Sequence, residues 1–154
     1  MLSRFLERFM PKAPELGDET GAAITVPQDG GYVPYRVACE GSHLGIPENM
    51  ELWLVAHTQQ TLEETGDIYD VFYPQPAPLL KLPGGRWHGV ASMGPDPKER
   101  PGEEYDLLLV LTTRSASRQI TKYAHEAAAR GKWSGMFGLP KGTTIMDSVT
   151  LTRT

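Results

Sequence analysis

The sequence has a single cysteine, Cys39, so no disulfide can form within it. Stability must then come from a packed core, and a lone thiol fits a reducing compartment. No apolar run approaches the roughly 20 residues that a bilayer-spanning helix requires. Positive charge is not in excess: fifteen Lys and Arg against nineteen Asp and Glu give a formal net charge of −4. That balance supplies no electrostatic reason to expect nucleic acid as a partner. Met1–Met10 carries Arg4, Glu7 and Arg8 where a secretory leader needs an unbroken apolar stretch, so a cytoplasmic location is expected.

Motifs for chemistry are missing as well. The histidines at 43, 57, 88 and 125 form no HExxH and pair with no CxxC, so neither metal nor cofactor is expected. His57 stands at the end of an apolar run, and all four read as surface or rim residues. Trp133-Ser134-Gly135 lacks the glycine two places before serine that a nucleophile elbow requires. In Gly138-Leu139-Pro140-Lys141-Gly142-Thr143 the lysine precedes the glycine, and a strand rather than a helix is expected next, so no phosphate loop forms. Cys39 shares a strand face with Val37 and reads as a small buried hydrophobe. Glu63, Glu64, Asp67 and Asp70 lack the ligand register of a calcium loop and read as a solvated loop. No catalytic residue is assigned, and the chain reads as non-enzymatic.

Turn formers, by contrast, are plentiful, with sixteen glycines and thirteen prolines falling between short apolar runs. Such punctuation favours strands joined by turns. The period-two pattern predicts seven strands: 23–26, 35–40, 51–57, 71–73, 87–92, 105–111 and 148–153. Glu51–His57 and Tyr105–Leu111 are apolar on both faces and read as central strands, with Trp53 the candidate for the inter-sheet core. One helix is predicted late in the chain, capped by Ser115 or Ser117 and ended by Gly131, with Ala116, Ile120, Tyr123, Ala124 and Ala127 as its apolar stripe.

A second, shorter helix is predicted at the N-terminus. Leu2, Phe5, Leu6, Phe9 and Met10 recur at helical spacing until Pro11 and Pro14 stop them. The expected organisation is an amphipathic helix with a polar tether over residues 1–21, then a β domain over 22–154. The expected fold is mainly β, an immunoglobulin-like antiparallel sandwich with a helix before its last strand.

The ordered segments LWLVAHT, FYPQPAPL, GRWHGVASMG, YDLLLVLTT, GLPKGTTIMD and SVTLTR run from Leu52 to Arg153, about two-thirds of the chain. In this order they resemble the small immunoglobulin-like domains of bacterial proteins, often appended to effector or membrane-tethered chains. The resemblance implies a sandwich with a recognition role and names no ligand.

The functional expectation is a protein-interaction or assembly module. Its partner-binding residues are Leu2, Phe5, Leu6, Phe9 and Met10 on the helix stripe, with Phe72 and Tyr73 of the aromatic-proline stretch Phe72–Pro78. That stretch can only be an edge or a connector between sheets, because its prolines remove ladder donors. A membrane-surface role through Arg4, Arg8 and Lys12 is the second reading. Carbohydrate binding by Trp87 or Trp133 is the third.

Overall fold

A strand that is apolar on both faces must be covered twice, and two such stretches organise this protein. A computed structural model describes residues 20–95 and 102–154. It contains β1 (Gly21–Val26), β2 (Tyr32–Val33), β3 (Arg36–Leu44), β4 (Glu51–Thr61), β5 (Ile68–Pro74), β6 (Lys81–Leu82), β7 (Arg86–Ser92), β8 (Glu104–Thr112), α1 (Arg114–Arg130) and β9 (Thr143–Arg153). A four-stranded sheet has the order β1-β3-β7-β6, and a five-stranded sheet has the order β2-β9-β8-β4-β5. Strands β4 and β8 pair antiparallel in the middle of the larger sheet, from Glu51↔Thr112 to His57↔Asp106.

Alternation along β4 and β8 sends two sets of side chains to two cores. Leu52, Leu54 and Ala56 join Leu107, Leu109 and Leu111 against Val37, Cys39, Trp87 and Ala91 of the smaller sheet. Trp53 and Val55 join Leu108, Val110 and Ile145 on the opposite face, where Ile120 of α1 covers them. The described residues therefore make a mainly-β, two-sheet fold, compatible with a sandwich, with one helix among them on the outer face of the larger sheet. Burying one large apolar side chain contributes about 1.5–3 kcal/mol, so the two cores outweigh any single polar contact.

All seven predicted strands are present, and the described residues form nine. The two additions, β2 and β6, are only two residues long and too short to show a period. β2 pairs with β9 in parallel, so the sheets are not wholly antiparallel. Trp53 is not in the inter-sheet core. It lies under α1, donating Nε1–H to Ser117 Oγ at 3.1 Å, while Trp87 occupies the inter-sheet core.

The helix cap lies two residues before Ser115 and four before Ser117, the two expected caps. Thr113 is the N-cap, its side chain accepting from the Ala116 N–H, and Gly131 ends the helix in the left-handed region at φ 64°. Ser117 is buried instead, passing the Trp53 contact on by donating to Glu51 Oε1 at 2.6 Å. The N-terminal helix predicted over residues 1–10 lies outside the described residues, as do Leu2, Phe5, Leu6, Phe9 and Met10.

The proline-rich stretch behaves as a connector. Gln75 N–H donates to Leu54 O at 3.0 Å and Leu79 N–H to Leu52 O at 2.8 Å, so the segment runs beside β4 before crossing to β6. Pro76 and Pro78 fall where no donor is needed. β5 is itself shielded at Phe72, which exchanges two backbone hydrogen bonds with Met136. Gly135 makes that approach achievable, since a Cβ there would collide with Val71 and the Tyr73 ring.

Candidate functional site

Where β3 begins and β5 and β7 end, the two sheets leave a cleft of about 250 Å³. Tyr35, Arg36, Gln75, Pro76, Ser92 and Trp133 supply its principal walls. Arg36 and Ser92 are register partners across β3 and β7. Gln75, buried in the other wall, ties the connector to that pair: its Oε1 accepts from the Ser92 N–H at 2.8 Å and its Nε2 donates to Ser92 O at 3.2 Å. Both functions of the amide are thus spent on one residue, which fixes the cleft wall. The Arg153 guanidinium lies 5.2 Å from the centre of the Tyr35 ring. Trp133 is half-buried and stands edge-on to Tyr123 at 6.1 Å.

A second polar feature crosses the outer face of the larger sheet beyond the apolar residues under α1. Thr150 Oγ1 donates to Asp106 Oδ1 at 2.8 Å, Asp106 Oδ2 contacts His57 Nδ1 at 3.0 Å, and His57 Nε2 contacts Asp70 Oδ1 at 2.6 Å. The row spans β9, β8, β4 and β5 in one line. His57 is 2% exposed, and its ring packs on Phe72 with centroids 4.8 Å apart. Burial is the largest influence on His57 and favours the neutral ring. Hydrogen bonds to Asp106 and Asp70, with their charges, outweigh it and hold the imidazole above its ordinary pKa. With both ring nitrogens held by carboxylates, the imidazole is a clamp between strands, having no free nitrogen to offer a substrate.

His57 and Asp70 are the residues that sequence reasoning misplaced. The apolar run ends at His57, but β4 continues through the polar segment Thr58–Thr61, placing His57 inside the strand. Asp70 belongs to β5 and is buried, whereas Glu63, Glu64 and Asp67 are exposed in the β4–β5 turn as expected. The signal available was the period-two match of Asp70 with Phe72 on one face.

Phe72 and Tyr73 are 3% and 6% exposed, so neither ring is offered as a broad surface to a partner. Phe72 packs in the core beneath α1, and Tyr73 in the inter-sheet core, though Tyr73 also contributes to the cleft. Their burial follows from position: β5 pairs with central β4, and both its faces are covered there. Trp87 is interior and cannot stack on a sugar, which leaves Trp133 at the cleft. Among the described residues no group of three or more His, Cys, Asp or Glu is arranged to hold a metal ion. No described helix is long and apolar enough to cross a membrane.

Cys39 sits in the inter-sheet core, 1% exposed, with Sγ 3.4 Å from Val37 O. Burial pushes its thiol up to about 11, against a smaller opposing effect of a backbone contact with Ala91. In the folded protein Cys39 will therefore resist a thiol-specific aromatic disulfide at neutral pH. Labelling should appear only in denaturant, and fast stoichiometric labelling of the native chain would contradict the packing.

No family model matches this chain, and no curated protein or solved structure matches it.

Proposed function

We propose that this chain is a non-enzymatic protein-binding module that anchors a partner side chain in the Tyr35–Trp133 cleft. The observation carrying the proposal is the size and make-up of that cleft. At about 250 Å³ it falls below the roughly 300–1,000 Å³ of small-molecule sites, but it suits one anchoring residue of a protein partner. Its Tyr, Trp and Arg walls are the residue types that carry most binding energy at interfaces. The Gln75–Ser92 tie keeps the wall rigid, so little ordering is required on binding.

The favoured anchor is an aromatic or proline residue beside a carboxylate, the former against Trp133 and Pro76, the latter facing Arg36. The apolar stripe Leu2, Phe5, Leu6, Phe9 and Met10 belongs to the same proposal as a second contact for the partner. Kinship with small immunoglobulin-like modules is also part of it, supported by motif order alone.

Peptides selected by display against the full chain should converge on such an anchor. Trp133→Ala and Arg36→Glu should each weaken the selected peptide by tenfold or more, about 1.4 kcal/mol, in a calorimetric titration. Equal affinity for the original chain and both variants would remove the cleft as the recognition site.

A further inference from the structure

Charge is unevenly distributed over this acidic protein. Six of its fifteen basic residues, Arg114, Arg118, Lys122, Arg130, Lys132 and Lys141, fall between residues 113 and 146, where Glu126 is the only acid. Arg114, Arg118 and Lys122 are spaced four apart on α1 and share one exposed face. Between that face and the start of β4 lies a groove of about 420 Å³, lined by these three cations with His125, Glu51 and Glu126. The Glu51 carboxylate is already engaged by Ser117.

The opposite charge is carried by the β4–β5 turn. Glu63, Glu64 and Asp67 are exposed at its tip, flanked by Leu62 at 43% and Ile68 at 62% exposure. The turn is ordered by Gly66 N–H donating to Leu62 O at 2.8 Å, Leu62 N–H to Asp67 O at 2.8 Å, and Thr65 Oγ1 to Asp67 Oδ2 at 2.9 Å. It is a preformed knob with an apolar collar and acidic tip.

Groove and knob lie at opposite ends of one strand. Glu51, the first residue of β4, lines the groove, and Thr61, the last, leads into the turn. Ten steps of an extended strand separate them by about 33 Å. The knob therefore cannot reach the groove of its own chain. We infer that the basic groove beside α1 is a docking site for the acidic β4–β5 turn of a second copy, joining copies head to tail. Such a contact uses different surfaces on the two copies, so it extends into a chain unless the rotation closes a ring. It goes beyond the cleft described above and shares no residue with it.

Sedimentation of the full chain tests the pairing. At about 0.01 M salt, where screening extends to about 30 Å, average mass should rise with concentration; at 1 M salt, with screening near 3 Å, it should return to the monomer. A knob variant, Glu63→Lys/Glu64→Lys/Asp67→Lys, should be monomeric at low salt. A groove variant, Arg114→Glu/Arg118→Glu/Lys122→Glu, should also be monomeric. Mixing the two should restore association, because each reversed surface then meets its complement. Three results overturn the proposal: a monomeric starting chain at low salt, an oligomer indifferent to the knob substitutions, or failure of the mixture to associate when circular dichroism shows both variants folded. If the groove variant does not fold, the knob variant alone decides. A monomer that instead binds an oligonucleotide or anionic vesicles assigns the helix face to a polyanion and likewise overturns the pairing.

Discussion

Replacing His57 with leucine will destabilise the protein by about 3–5 kcal/mol, the usual cost of removing one member of a buried ion pair. The loss does not come from the missing contact alone. Asp70 is buried, its Oδ1 lies 2.6 Å from His57 Nε2, and leucine leaves that carboxylate desolvated without its counter-charge. Asp106 suffers less, because its side chain is 23% exposed and it retains the Thr150 hydroxyl. Adding Asp70→Leu to His57→Leu should therefore recover most of the stability, since the two positions then pack as an apolar pair. Urea denaturation of the two single variants and the double variant provides the comparison. A double variant as unstable as the sum of the singles would show that the clamp is not a coupled pair.

The same clamp sets a pH dependence whose direction follows from the raised histidine pKa. An unfolded histidine titrates near 6.5, whereas His57 keeps its proton to higher pH in the fold. Folding then binds a proton between the two values. Its contribution is fully present below about 6.5 and is lost as pH rises through the folded value. Stability of the unsubstituted protein should fall as pH rises above about 6.5 through the folded value, and the double variant should lack this slope. Superimposable pH profiles would refute the assignment.

Gly41→Ala will cost about 3 kcal/mol, although it adds only a methyl group. Gly41 faces the inter-sheet core opposite Trp87, whose Nε1–H donates to Ser42 O at 3.1 Å. A Cβ at Gly41 would collide with the Ala23 carbonyl oxygen of the neighbouring strand and with the Trp87 indole ring. Backbone cannot swing aside as a side-chain end can, and the indole is pinned by its own hydrogen bond, so the clash must separate strands. Gly138→Ala is the control, because a Cβ there meets nothing within 4 Å. Circular-dichroism denaturation should separate the two variants clearly. Coincident midpoints would mean that β1 and β3 can part without cost.

How much of this was legible beforehand depended on whether a residue's role was local. The alternating apolar residues of β4 and β8 announced two covered faces, and Gly131 announced a helix end, because both signals lie within a few residues. Which face of β4 meets the second sheet and which meets α1 is not encoded locally, so the pattern alone assigns Trp53 to the wrong core. His57 and Asp70 escaped notice for a related reason. They are thirteen residues apart and become a pair only when the polar extension Thr58–Thr61 carries β4 past β5. The cleft was harder still, being assembled from β3, β7, the proline connector and the segment after α1. Part of the Phe72–Pro78 stretch lines it, through Tyr73, Pro74, Gln75 and Pro76, whereas Phe72 is buried beneath α1.

The three tryptophans occupy three different seams: Trp87 between the sheets, Trp53 beneath the helix and Trp133 at the cleft. Each layer boundary consequently carries its own native fluorophore. Single-tryptophan versions would separate a helix that lifts from sheets that part, and either event from occupation of the cleft, without an added label.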